Sequence, residues 1–154
     1  MDLLRLFKVN QQVCATENRH IVYTDSKPKT SQVEEKEMSG EWKEIIKTDV
    51  IQLFRYSALT FNGHRIHYDR TYATEVEGYP GLVVHGPLMA TMLSLFAERN
   101  SGRQLRKYSF KGKRPVFDSD DFSLTGSFSG RDSAELRVLD HMSQLSMTAE
   151  AVFF

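Results

Sequence analysis

The chain has 154 residues, 40% of them hydrophobic, enough to bury one ordinary core. Its 20 Lys and Arg balance 20 Asp and Glu, which excludes a large electrostatic field, so no nucleic acid or anionic membrane is indicated as a partner. A single cysteine, Cys14, excludes an internal disulfide, and no Cys/His cluster at ligand spacing suggests a metal site.

No apolar run approaches the roughly 18 residues of a membrane span. The opening MDLLRLFKVN lacks a long apolar stretch with a small-residue cleavage site. The chain therefore reads as soluble, unprocessed and cytoplasmic. Leu3 to Val9 and Val13 to Thr24 are β-like runs separated by Asn10 and Gln11, which predicts a strand pair within residues 1–25. From Ser26 the composition turns to Lys, Glu and Ser with no apolar period, which predicts a linker over 26–47 before a main domain over 48–154. Trp42, the one large apolar residue there, is expected to pack on the domain edge.

Thr48 is placed to cap a short helix carrying Ile51, Leu53, Phe54 and Leu59 on an imperfect apolar face. A second short helix is expected over Tyr68 to Val76, stopped by Gly78, Pro80 and Gly81. Leu82, Val83 and Val84 lead into His85-Gly86-Pro87. Beyond them Leu88, Met89, Met92, Leu93, Leu95 and Phe96 predict the longest helix, with Pro87 at its start and Gly102 at its end. The period then changes to two in Phe122 to Ser129 and Leu145 to Phe153, with further strands over Leu105 to Lys111 and Ala134 to His141. One buried helix followed by a four-stranded meander implies an α+β domain, an antiparallel sheet wrapped around a long central helix.

Chemistry concentrates in YSALTFNGHRIHYD, where Asn62, His64 and His67 crowd between two helices. A histidine there can exchange protons near neutral pH; equally, both histidines could merely cap helix ends or face solvent. Gly86, at a helix start, could offer its N–H to an anion or a developing enolate oxygen. Plain chain geometry before a proline is the commoner reason for such a glycine.

The run LFRYSALTFNGHRIHYDRTYA, followed by EGYPGLVVHGPLMATML, closely resembles MaoC-like hydratases and dehydratases of the hot-dog superfamily, in the type 2 hydroxyacyl-thioester dehydratase and mesaconyl-CoA hydratase branch. The likeness extends from about Val50 to the C-terminus, by strand pattern alone after Leu93. It implies a hot-dog fold that adds or removes water across the α,β double bond of a coenzyme A or acyl-carrier-protein thioester, without a metal or redox cofactor. In that family an Asp and a His five positions apart hold the water, and a helix-start glycine binds the thioester carbonyl. The His falls on His67 and the glycine on Gly86, but the Asp position holds Asn62, a departure.

An amide cannot accept a proton at useful pH. The resemblance therefore leaves three readings: His67 acts as sole acid/base with Asn62 orienting the water; His64 supplies the missing group; or this is an inactive half of a double hot-dog protein that only binds thioester or supports an active partner. His85 is a second-line candidate. Deamidation at Asn62-Gly63 could also create an Asp in place. A thioesterase would call on a carboxylate such as Asp69, Glu75 or Glu77.

VNQQVCATENRHIVYTD resembles the closing strands of a preceding hot-dog domain, which would make residues 1–25 a remnant and a mitochondrial location compatible with a lost leader. An ordinary strand pair of the same domain fits equally. The fold family implies a homodimer, with Lys107, Lys111, Lys113 and Arg114 available for the nucleotide phosphates of coenzyme A, or simply solvated at a strand edge.

Overall fold

A computed structural model describes residues 1–22 and 40–154, which fall into two compact units. In the first, β1 (Asp2–Val9) and β2 (Gln12–His20) pair antiparallel. Asn10 (φ 48°) and Gln11 (φ 66°) both lie in the left-handed region, giving the two-residue turn whose twist suits a hairpin. The strand pair expected from the sequence is present, except that Tyr23 and Thr24 lie outside the described residues.

The second unit holds a five-stranded antiparallel sheet of β3 (Trp42–Ile46), β4 (Leu105–Gly112), β5 (Phe122–Gly130), β6 (Ser133–Leu139) and β7 (Leu145–Phe153), in the order β3-β5-β6-β7-β4. Two expectations need correction. Residues 42–46, assigned to the linker, form an edge strand, while 26–39 of that segment lie outside the described residues. The four later strands are not a simple meander either, because β4 pairs with β7 and not with β5. The connection between β4 and β5 is too long for a tight hairpin and instead carries Val116 and Asp118, which accept from Val84 N–H and Leu82 N–H.

β3 docks where β5 has no side chain: Trp42 pairs with Gly126, and a Cβ on Gly126 would lie 3.0 Å from the Trp42 ring and 2.6 Å from Leu136. The indole meets Phe128 edge-on at 4.8 Å and Phe96 at 6.4 Å, so Trp42 does anchor the domain edge.

Helix α1 (Val50–Thr60) is capped by Asp49, whose carboxylate accepts from Gln52 N–H at 2.8 Å; Thr48, the expected cap, is buried instead. Tyr68 to Val76 is not one regular helix: a 3-10 turn covers Arg65–His67 and a π-helical turn Tyr72–Val76. The long helix α2 (Gly86–Ser101) ends at Gly102, whose φ of 67° suits a residue without Cβ. Leu88, Met89, Ala90, Leu93, Phe96 and Ala97 are buried, and α2 lies against β4, β5, β6 and β7. The sheet thus wraps a central helix, as a hot-dog fold requires.

Candidate active site

Three short segments meet at the start of α2. Helix α1 ends in a left-handed cap at Phe61 (φ 54°, ψ 33°), and Asn62 N–H donates to Ser57 O at 2.9 Å. The reversal begins a loop in which Asn62 Oδ1 accepts from His64 N–H at 3.1 Å, an Asx turn that leads into the 3-10 turn. Val83 N–H then donates to Ile66 O at 3.0 Å, and Val84 N–H to Val116 O at 2.8 Å. The segment entering α2 is clipped to the histidine turn on one side and the β4–β5 connection on the other, which sets His67 beside His85.

His67 is 8% exposed and its Nδ1 lies 2.7 Å from Val83 O. A carbonyl can only accept, so Nδ1 carries the hydrogen and the neutral ring keeps a lone pair on Nε2. Burial holds the His67 pKa below the ordinary histidine value; the Val83 bond opposes this, and the nearby His64 adds to the lowering. His67 is therefore neutral near pH 7 and able to act as a base at Nε2.

The His85 ring, 1% exposed, stacks on His67 with centroids 3.7 Å apart and planes inclined by 18°. Its Nε2 lies 2.8 Å from Ser57 Oγ, and Tyr56 meets it edge-on at 4.9 Å. Burial first, then the neighbouring His67, pushes the His85 pKa down to about 4. Exposed His64 meets the His67 ring edge-on at 5.6 Å.

Gly86 opens α2. A helix leaves the N–H groups of its first turn without intrahelical partners, and Pro87 has none to offer, so the Gly86 and Leu88 N–H groups remain for a ligand oxygen. A Cβ on Gly86 would meet nothing within 4 Å, so open space lies before it. An open groove of about 640 Å³ beside α1 is lined by Lys47, Asp49, Ile51, Gln52, Arg55, Tyr56, Leu59 and Leu88, and by none of Asn62, His64, His67, His85 or Gly86.

Asn62, His64, His67, His85 and Gly86 are thus gathered by the loop after α1 and the start of α2. Lys111 lies exposed at the end of β4 and Lys113 exposed just past it, with half-buried Arg114 following. Lys113 and Arg114 N–H donate to Ser146 O at 2.8 and 3.2 Å, and the Arg114 guanidinium bonds the Gln144 side chain. Asp69 is engaged by Arg65 at 2.8 Å and by Tyr72 N–H at 3.0 Å, and Glu77 by the Tyr72 hydroxyl at 2.8 Å. Among the described residues no three His, Cys, Asp or Glu side chains gather as a metal site would need. Sequence reasoning missed Ser57. Its signal was a polar residue four positions after buried Leu53, hence on the inward face of α1.

Residues 3–118 match the family described as hydroxyacyl-thioester dehydratase type 2. The chain belongs to that family. It is 40% identical over 145 residues to the mesaconyl-C(4)-CoA hydratase of Chloroflexus aurantiacus, covering 92% of this chain and 52% of that protein. Against the mitochondrial hydroxyacyl-thioester dehydratase type 2 of Schizosaccharomyces pombe identity is 33% over 120 residues, covering 73% of this chain and 39% of the relative. The chain therefore spans about half the length, or less, of these relatives. Among solved structures, the (R)-hydratase of A. caviae involved in PHA biosynthesis superposes with a TM-score of 0.64 at 20% identity, over 79% of this chain and 97% of that one. The hot-dog fold is thereby shown. Among the described residues no helix is long and apolar enough to cross a membrane.

Proposed function

We propose that this chain carries a hydro-lyase site that adds water to, or removes it from, the α,β double bond of an acyl thioester. The observation that carries the proposal is buried, neutral His67, its Nδ1–H held by Val83 O and its Nε2 left as a base, close to the open helix start at Gly86. In hydration, His67 Nε2 takes a proton from water as the water oxygen bonds to the β-carbon. Electron density moves to the thioester oxygen, where Gly86 N–H stabilises the enolate. The imidazolium then returns its proton to the α-carbon, so one group serves as base and acid and the atoms balance. Dehydration runs the same steps backwards.

Asn62 orients the water in this reading. Its Oδ1 uses one lone pair on His64 N–H and retains the other, with the amide N–H₂ also available. The chemistry draws on the thioester's own carbonyl and calls for no metal or redox cofactor. Coenzyme A or an acyl carrier protein bears the acyl group, with Lys111, Lys113 and Arg114 as the phosphate-binding candidates.

The second reading is a non-catalytic, thioester-binding or structural half of a longer enzyme. Asn62 at the family's Asp position favours it, as does coverage of only 52% and 39% of the two relatives. A homodimer is proposed because edge strand β4 bears exposed Phe110, and α1 and its cap expose Ile51, Phe54, Leu59 and Phe61. Two relatives named as mitochondrial support a mitochondrial location as the alternative to a cytoplasmic one, and organelle fractionation decides between them.

Loss of enoyl-thioester absorbance on mixing the purified protein with crotonyl-CoA, abolished in His67→Ala, is the expected result. Thioester binding without turnover, in folded dimeric protein, would establish the second reading instead.

A further inference from the structure

Ser57 and His85 lie behind the reacting groups and have no part in the steps above, yet both are buried and bonded to one another. His85 stands at the N-cap of α2 and makes no side-chain bond to the helix, and its Nδ1 is buried without a partner. The positive end of a helix favours a bare lone pair there over an N–H. In a neutral ring the hydrogen then belongs on Nε2, donated to Ser57 Oγ at 2.8 Å.

We infer that Ser57 and His85 form a positioning pair for His67: the Ser57 hydroxyl fixes the plane of the His85 ring, whose tautomer the helix start sets, and that ring, stacked face to face at 3.7 Å, fixes the plane of His67 and the direction of its Nε2. The groups around His85 suit this role. Tyr56 and Ser57 reach it from α1, and His67, with His64 beyond it, from the 3-10 turn. None of these is a carboxylate that would draw a proton onto His85. Two stacked imidazoles do not both hold a proton without strong repulsion, so a neutral His85 also leaves His67 free to accept and return one. Val83 O sets the His67 tautomer from one side and the His85 face sets its plane from the other.

This inference rests on His67 as the acid/base, and the experiment separates the two. Histidine side-chain ¹⁵N–¹H spectra would be recorded on the intact wild-type protein, Ser57→Ala and Ser57→Thr, together with kcat and KM for crotonyl-CoA across about pH 5 to pH 9. Wild type is expected to show His85 as the Nε2–H and His67 as the Nδ1–H tautomer. Ser57→Ala is expected to keep the Nε2–H tautomer at His85 but shift its Nε2–H resonance through loss of the bond, and to shift the His67 resonances. Its kcat should fall about 10- to 100-fold with KM little changed, and the acid limb of its profile should move. Ser57→Thr, which keeps the hydroxyl, should retain the wild-type His85 and His67 resonances and kcat profile. Unchanged His67 resonances and an unmoved kcat profile in Ser57→Ala would overturn the inference. Altered resonances in a protein without turnover would uphold the pairing and remove the hydratase reading.

Discussion

Acid should destabilise this fold through His85. Its pKa falls from 6.5 to about 4 in the folded protein, because burial and then the His67 ring oppose its charge. Above pH 6.5 the ring is neutral in both states and its contribution is fully present. As the pH drops from there towards about 4, the unfolded chain binds a proton that the folded chain does not, so stability falls; once both states are protonated the loss stops. At about 1.4 kcal/mol per unit, this shift is worth roughly 3 kcal/mol, a large share of the 5–15 kcal/mol typical of a domain. His67, lowered for the same first reason, adds loss in the same direction. Urea unfolding would be followed at several pH values from about 7 to about 4 for wild type and for His85→Phe, which keeps a stacked ring but cannot titrate. The variant should lose roughly 3 kcal/mol less than wild type over that range, with an unchanged m-value. Equal losses in the two proteins would refute the reasoning.

Gly86→Ala should leave the melting temperature within error, since the new methyl meets nothing within 4 Å, yet lower kcat/KM about 10-fold or more by intruding where the thioester oxygen must sit. Undiminished activity would show that the thioester oxygen does not sit against the Gly86 Cα. Asn62→Asp keeps an acceptor for His64 N–H but adds a negative charge near His67, so the acid limb of the kcat–pH profile should move upward; an unmoved limb would place Asn62 too far away to matter. Leu93→Ala, at a 0% exposed position on α2 against the sheet, should lower unfolding free energy by about 2–5 kcal/mol in urea titration, and a loss below about 1 kcal/mol would contradict the central-helix packing.

The central helix was legible because its apolar residues are dense and its ends are marked by Pro87 and Gly102, and β5 and β7 because their residues alternate. β3 was not, because its half-buried Trp42, Glu44 and Ile46 sit in a charged stretch and Glu44 faces Arg99 in an ion pair rather than the core. What places β3 is the bare surface of Gly126, a tertiary fact that no local pattern carries. The placement of β4 beside β7 was equally hidden, since long-range register leaves no mark in a single strand's alternation. His67 and Gly86 could be singled out by residue type and resemblance. The stacking of His85 on His67 could not, because it depends on the Val83–Ile66 bond that brings two distant segments together. Ser57 looked like an ordinary helical serine until its partner was known.

Water addition through His67 can be read directly from the fate of the water oxygen. The protein would be incubated with crotonyl-CoA in ¹⁸O-labelled water and the product mass measured, beside His67→Gln treated in the same way. Wild type should give 3-hydroxybutyryl-CoA carrying the heavy oxygen, and His67→Gln none above background. Label incorporation undiminished by His67→Gln would contradict the assignment of the acid/base. Heavy oxygen found only in free crotonate would show thioester hydrolysis in place of hydration.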